Sequence, residues 1–102
     1  LNAPLRAVLT DAIHDAKTSL LVVVYQLRDE KVIEAIREKS ESGVPVYVVV
    51  DESGYDGGRK NLGKNTTLVK RKAPGIMHQK ILVVDKSQVY LGSTNFTFES
   101  LN

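Results

Sequence analysis

Residues 78–95 read HQKILVVDKSQVYLGSTN, and this stretch decides most of what the sequence predicts. Apolar, largely β-branched residues fill most of 76–84 and 88–91, and the polar triplet Asp85–Ser87 separates the two runs. Two such runs joined by a short polar turn predict a β-hairpin. The polar residues of the stretch gather at the open end of the hairpin and at its turn, so chemistry is to be sought there.

The open end of this hairpin carries side chains suited to binding an anion. Because side chains alternate along a strand, His78 and Lys80 share one face, about 7 Å apart along the chain. Lys80 can hold a phosphate oxygen as a point charge, and His78 can attack phosphorus or donate a proton. Ser93 and Asn95 are also two residues apart and can add a hydroxyl and an amide. For a lone His-x-Lys pair, a hairpin without chemistry is the alternative interpretation.

The first half of the sequence alternates helical and strand patterns. The first predicted element is a helix capped at Asn2, with Leu5, Val8, Leu9, Ala12, Ile13 and Ala16 facing inward. A second helix is predicted between a capping Asp29 and a stop at Gly43, with Val32, Ile33 and Ile36 facing inward. The predicted strands are Leu20–Tyr25, Val44–Val50 and the short Thr66–Lys70. This order predicts an α/β fold with a mixed, largely parallel sheet flanked by helices.

Composition predicts one folded domain and excludes several kinds of site. Of the 102 residues, 42% are hydrophobic and 25% charged, as in globular rather than disordered chains. The absence of cysteine excludes a disulfide scaffold, a cysteine-ligated metal site and a thiol nucleophile. The longest apolar run, Leu20–Tyr25, is far too short to span a membrane, and no secretory signal is visible, so we expect a soluble chain without predicting its compartment.

Charge is distributed unevenly along the sequence. Residues 1–58 carry ten acidic and six basic residues, whereas residues 59–102 carry two acidic and eight basic residues. Six bases fall in one stretch without an acid among them: Arg59, Lys60, Lys64, Lys70, Arg71 and Lys72. All of them except Lys64 are the candidate substrate-binding residues. Such a block predicts a polyanionic partner: nucleic acid, anionic lipid headgroups or a phosphorylated small molecule. The alternative is a solvated loop and an edge strand whose lysines oppose aggregation.

Two acidic residues and one histidine receive surface assignments. The Gly-rich loop 51–63 fails the spacing of a calcium-binding loop. We expect Asp51 and Asp56 to be acids of a surface loop; the alternative is that they serve a site. His14 falls outside the apolar stripe of the first predicted helix and is expected to be a solvated side chain.

The fixed residues of 78–95 match the pattern H-x-K-x4-D-x6-G-S-x-N at every position. Six identities at these spacings arise by chance in about one in a million chains of this size. The pattern is the signature of the phospholipase D superfamily, which this sequence resembles. The helix and strand order of the N-terminal half also resembles that family, and Asn95-Phe96-Thr97 resembles the stretch that follows the motif in its nucleases.

The resemblance implies a role for each motif residue. His78 resembles the nucleophile that forms a phosphohistidine, or the partner acid that protonates the leaving group. Lys80 and Asn95 resemble phosphate ligands, and Ser93 resembles a hydrogen-bonding support. Asp85 matches the motif's aspartate, for which we favour structural hydrogen bonding over direct chemistry. No metal or other cofactor is implied.

One motif is only half of the active site that the resemblance implies, because the nucleophile and the acid stand on opposite sides of phosphorus. His14 does not qualify as the second histidine, since no lysine follows it by two residues and it lies on a predicted helix. A homodimer with His78 of each copy across a two-fold axis would complete the site. A second motif-bearing half in a longer chain would do the same. We expect residues 1–102 to form one phospholipase D-like domain that lacks the strand and helix with which the family normally continues.

Three functions follow, and the first is preferred. It is a metal-independent phosphodiesterase that acts as an endonuclease on DNA or RNA. The second is a phospholipase D or phosphatidyltransferase acting on phospholipid headgroups, which the lack of an amphipathic anchor disfavours. The third is a catalytically silent module that binds nucleic acid.

Overall fold

The computed structural model describes residues 3–54, 61–72, 79–93 and 99–100. The elements in these ranges are α1 (Ala3–Asp15), β1 (Leu20–Val24), α2 (Glu30–Glu41), β2 (Val46–Asp51), β3 (Thr66–Arg71), β4 (Gln79–Val84), β5 (Gln88–Ser93) and β6 (Glu99–Ser100). The strands form one sheet in the order β3-β2-β1-β4-β5-β6. This arrangement confirms the predicted α/β fold.

The sheet is mixed, as predicted, but parallel pairing is confined to one half of it. β1 runs parallel to β2, and β2 runs parallel to β3. β4 joins the other side of β1 in the antiparallel direction, with Val84 opposite Leu20 and Lys80 opposite Val24. β5 and β6 continue antiparallel. The share of parallel pairing is smaller than predicted because the hairpin adds to β1 directly.

Both helices pack on one face of the sheet. Their buried residues form one core with the inward side chains of β1, β2 and β4: Leu9, Ala12, Ile13, Val32, Ile33 and Ile36 against Leu20, Val22, Val46, Val48, Val50, Leu82 and Val84. On the other face Tyr47 is 49% exposed and Val69 is 38% exposed. The apolar, largely β-branched sequences of β1 and β2 are typical of parallel strands that are buried on both faces. Within the described residues, helices cover only one.

The ends of α2 agree with the sequence prediction. The Asp29 carboxylate accepts hydrogen bonds from the backbone N–H groups of Lys31 and Val32, at 3.0 and 3.2 Å. This satisfies donors that the first helical turn leaves unpaired. At the other end Gly43 adopts a φ of 102°, and its N–H donates to the Ser40 carbonyl. A positive φ at this position favours glycine, which explains the stop signal.

The helix α1 confirms one part of its predicted stripe and corrects another. Leu9, Ala12, Ile13 and Ala16 are buried, whereas Val8 is 44% exposed. Val8 borders the stripe rather than lying within it, so its inward prediction was wrong. Asn2 and the side chain of Leu5 fall outside the described residues. Across the described ranges, neither helix has the length and apolar character that crossing a membrane requires.

The predicted hairpin is present as β4 and β5. Its turn holds Asp85 and Lys86 at positive φ values of 55° and 62°. Two positive φ values match the turn type whose twist suits adjacent antiparallel strands. Ser87 N–H donates to the Val84 carbonyl at 3.1 Å and closes the turn. The predicted first strand began earlier, at Ile76, and that portion lies outside the described residues.

Candidate active site

The strand register brings several predicted residues to one end of the sheet. β1, β2 and β3 finish at this end, β4 starts there and β5 finishes there. We call it the Lys80 end, and its residues are Val24, Val50, Asp51, Lys70, Arg71, Gln79, Lys80, Gly92 and Ser93. The carboxyl ends of parallel strands are where α/β folds commonly bind ligands.

Lys80 lies at the rim of the core. It shares the helix-covered face of β4 with buried Leu82 and Val84 and is itself partly buried. Burial lowers the pKa of Lys80 below its ordinary value of 10.5, because a cation loses hydration there. A nearby phosphate would restore the stabilisation that the ammonium group loses. The position therefore suits the predicted role of Lys80 as an anion ligand.

The other motif residues are placed to different extents. The backbone of Ser93 ends β5 opposite Gln79, and Gly92 lies opposite Lys80. The motif's glycine and serine therefore reach the same end of the sheet as its lysine. His78 and Asn95 lie outside the described residues, so their roles stay predictions from the sequence.

Asp85 lies at the opposite end of the sheet. One carboxylate oxygen accepts hydrogen bonds from the backbone N–H groups of Lys17, Thr18 and Ser19, at 2.8, 2.7 and 3.2 Å. The Thr18 hydroxyl donates to the same oxygen at 3.1 Å. The Thr18 N–H contributes most to lowering the pKa of Asp85 to about 2; burial opposes it, and the N–H groups of Lys17 and Ser19 and the Thr18 hydroxyl add to the lowering. This residue ties the hairpin turn to the segment between α1 and β1.

The separation between Asp85 and Lys80 supports the structural interpretation of the aspartate. Asp85 lies five positions beyond Lys80 along the strand, which corresponds to roughly 17 Å. That is too far for both side chains to contact one phosphate. Asp85 instead fixes the far end of β4, the strand that carries Lys80 at its near end.

The described residues of the predicted basic block lie at the Lys80 end, except Lys64, which precedes β3 at the other end of the sheet. Lys70 and Arg71 finish β3, Lys72 follows them, and all three are exposed. We call them the Lys70–Lys72 cluster. β3 forms a border of the six-stranded sheet, so these cations lie beside the candidate site rather than within it. Arg59 and Lys60 lie outside the described residues.

Asp51 corrects a prediction. It was expected in a surface loop, but it ends β2 and is only 8% exposed. Its carboxylate accepts hydrogen bonds from the Ser53 hydroxyl at 2.6 Å and from the Ser53 N–H at 3.0 Å. The predicted strand ended with the apolar run, one residue before the end of β2. The serine two residues after Asp51 could have indicated a local turn that binds the carboxylate. Asp56 falls outside the described residues.

Sequence reasoning also missed a close backbone contact that supports the Lys80 end. Gly54 N–H donates to the Asp51 carbonyl at 2.8 Å, and the Gly54 carbonyl accepts from Leu27 N–H at 2.9 Å. A Cβ at position 54 would overlap the Tyr25 carbonyl oxygen. The loops that follow β1 and β2 are therefore locked together through glycine.

His14 is exposed, as predicted, and lies apart from the motif lysine. It lines a groove of about 460 Å³ between the two helices, together with Arg6, Ala7, Thr10, Lys31, Glu34, Ala35 and Glu38. Residues 17–19, which follow closely, hold Asp85 at the far end of the sheet. The helical location agrees with excluding His14 as the second catalytic histidine.

Comparisons with known sequences point to one family. The family model described as "Cardiolipin synthase, PLD-like domain" matches residues 9–102. The chain is 29% identical over 96 residues to a protein named Phospholipase D from Rickettsia bellii, covering 87% of this chain and 46% of that protein. For the Phospholipase D of Rickettsia prowazekii the identity is 29% over 92 residues, with 83% and 43% covered. The chain thus spans about half the length of these curated relatives.

Solved structures agree with the sequence comparison. Nuc from Salmonella typhimurium, a phospholipase D family member, is similar with a TM-score of 0.72 and 32% identity, over 90% of this chain and 64% of that one. NucT from Helicobacter pylori has a TM-score of 0.69 over 95% and 74% of the two chains, and at 22% identity it supports the fold alone. With the motif lysine, glycine and serine at one end of a mixed sheet and a family match over residues 9–102, the chain belongs to the phospholipase D superfamily.

Proposed function

We propose that this chain is a metal-independent phosphodiesterase that cuts DNA or RNA through a phosphohistidine intermediate. Membership of the family supports a hydrolase that acts on phosphodiesters. The observation that favours nucleic acid is the exposed Lys70–Lys72 cluster at the same end of the sheet as Lys80. Several cations beside one anion-binding lysine suit a substrate with several phosphates.

The proposed reaction has two steps that balance in atoms and protons. An imidazole nitrogen of His78 attacks phosphorus, and the bond from phosphorus to the leaving oxygen breaks. A second histidine gives that oxygen a proton. Water then attacks the phosphohistidine, loses a proton to the second histidine and releases His78.

In this scheme Lys80 stabilises the charge that develops on the phosphate oxygens. Its partly buried position strengthens the attraction, because less water screens the charge there than at an exposed site. Asn95 is proposed to add a neutral amide donor and Ser93 a hydroxyl. Charge stabilisation by lysine and amide takes the place that a metal ion holds in other phosphodiesterases.

The second histidine is proposed to come from another copy of this chain. An isologous contact would place two copies of His78 across a two-fold axis. A second motif within a longer polypeptide would supply the same group. A mass of two chains, measured by light scattering, would support the first arrangement.

A lipid phosphodiesterase is the second candidate. It is favoured by the Phospholipase D names of the Rickettsia relatives, and the same cations would then contact anionic headgroups. A nucleic-acid-binding module that retains the motif without turnover is the third. The three candidate functions predict different turnover: of nucleic acid, of phospholipid, and of neither.

The deciding experiment measures cleavage of plasmid DNA and of single-stranded DNA and RNA oligonucleotides in excess chelator. The wild-type chain is compared with His78→Ala, and Lys64→Ala serves as a matched control because Lys64 is an exposed lysine at the other end of the sheet. Vesicles of phosphatidylcholine and phosphatidylglycerol, assayed for headgroup release, form the second arm. Light scattering gives the mass of the particle.

We expect nucleic-acid cleavage that His78→Ala abolishes and Lys64→Ala retains. Headgroup release without nucleic-acid cleavage would replace the proposal with the lipid enzyme. Binding of oligonucleotides without turnover of either substrate would favour the silent module. Cleavage that survives in His78→Ala would contradict the mechanism.

A further inference from the structure

The register aligns two lysines along one row of the sheet. Lys80 lies opposite Val24 across β4 and β1. The parallel register of β1 and β2 continues to set Val24 beside Val50, and Val50 lies beside Lys70. The backbones of Lys70 and Lys80 are therefore three strand spacings apart, which corresponds to about 14 Å.

Both lysines also lie on the same face of the sheet. Side chains alternate between the two faces of β4, and Lys80 lies on the same face as buried Leu82. Through the same row, Lys70 shares the face of Val50, which is fully buried, and of Leu68, which packs against the core. The two ammonium groups thus extend from one side of the Lys80 end.

Lys70 differs in this respect from its neighbour Arg71. Arg71 belongs to the next row and the other face, opposite Asp51, and its carbonyl accepts a hydrogen bond from Glu52 N–H at 2.9 Å. Two acidic residues, Asp51 and Glu52, are therefore the backbone neighbours of Arg71 at the end of β2. Lys70 is exposed, and within the described ranges no carboxylate lies at ion-pair distance from it.

We propose that Lys70 binds a second phosphate of the same polynucleotide whose scissile phosphate lies at Lys80. This inference rests on the proposed nuclease function and adds the minimum substrate length. A separation of about 14 Å corresponds to about four nucleotides of a helical strand at a rise of ~3.4 Å each, and to fewer in an extended strand. A substrate with a single phosphodiester leaves Lys70 without a contact.

The test measures binding, so that it does not depend on turnover. Lys70→Ala and the control Lys64→Ala are each introduced into His78→Ala, which keeps the substrate uncut. Fluorescence anisotropy gives the Kd of a labelled 20-nucleotide single strand and of a labelled dinucleotide, each at several salt concentrations. Vesicles of phosphatidylglycerol are the lipid probe.

We expect Lys70→Ala to weaken binding of the 20-nucleotide strand about fivefold to tenfold at low salt, and to reduce the slope of log affinity against log salt by about 0.7. Dinucleotide binding should stay unchanged, and Lys64→Ala should leave both affinities unchanged. Wild-type cleavage of nucleic acid, measured separately, reports on the proposed function itself.

Three outcomes would overturn the inference. Equal losses for the dinucleotide and the long strand would mean that Lys70 acts on the site rather than on a distant phosphate. Equal losses from Lys70→Ala and Lys64→Ala would mean that only total charge matters. A loss on vesicles with none on the 20-nucleotide strand would assign Lys70 to a lipid surface.

Discussion

Asp85 shows how a residue of a catalytic motif can act on the fold. Its carboxylate gathers three backbone N–H groups from residues 17–19 and one hydroxyl from Thr18. We expect Asp85→Asn to lower the free energy of unfolding by about 1 kcal/mol at pH 7, a value reduced for the solvent exposure of the site. Urea denaturation compared with Asp11→Asn, an exposed carboxylate on α1, checks this.

The same substitution has a defined pH dependence. Hydrogen bonds hold the pKa of Asp85 at about 2, below its ordinary value of 3.8, so folding favours the ionised form. Its contribution is fully present above pH 3.8 and is lost as the pH falls through 2. The difference between wild type and Asp85→Asn should therefore shrink as the pH falls from about 4 to about 2. A constant difference would show that the charge is not responsible.

Gly54 controls the loops beneath the Lys80 end. Because a Cβ there would overlap the Tyr25 carbonyl oxygen, we expect Gly54→Ala to destabilise the chain by about 3 kcal/mol. Gly43→Ala is the comparison, since Gly43 has a positive φ but open space around its Cβ position. Its strain alone should cost about 1 kcal/mol. Similar costs by thermal or urea unfolding would contradict the steric argument.

At the scale of the element, the start of α2 joins capping to an ion pair. Burial alone would raise the pKa of Asp29, but the Val32 N–H and the Arg6 guanidinium, 2.9 Å away, together hold it below its ordinary value. We expect Asp29→Ala to cost about 1–2 kcal/mol of stability. Asp29→Asn keeps a good cap and loses only the charge, so it should cost less than half as much. Equal costs in urea denaturation would make the ion pair, not the cap, the main contribution.

The elements also show which features local sequence can predict. The cap at Asp29, the stop at Gly43 and the hairpin turn all follow from contacts within a few residues, and the structure confirms them. The two-residue strand β6 was not predicted, because it contains no apolar run and is defined only by its pairing with β5. The burial of Asp51 was missed because it depends on how two separate loops meet.

The candidate site also has a part that local sequence predicts and a part that depends on the whole sheet. The motif predicts Lys80 from spacing alone, and the register then adds what spacing cannot give: Gly92 beside it and Lys70 three strands away on the same face. Strand order is a property of the whole sheet. It could not be inferred from the order of elements, which favoured a mostly parallel arrangement and left the position of β3 open.

At the scale of the whole molecule, the sheet has two unequal faces. Val48 is fully buried beneath the helices, whereas its neighbour Val49 is only partly buried on the face where Tyr47 is 49% exposed. The two valines share one strand and one residue type, so they form a matched pair. Removing two methyl groups from a packed core leaves a cavity, whereas removing them from a partly exposed face does not.

We therefore expect Val48→Ala to lower the free energy of unfolding by about 2–3 kcal/mol, and Val49→Ala to lower it by less than about 1 kcal/mol. Urea denaturation of the two variants at equal protein concentration measures both values. Repeating it at a tenfold higher concentration separates folding from association, because only association makes stability depend on concentration. Equal costs at both concentrations would mean that the Val49 face is as well packed as the helix-covered face, and the one-sided core would be wrong.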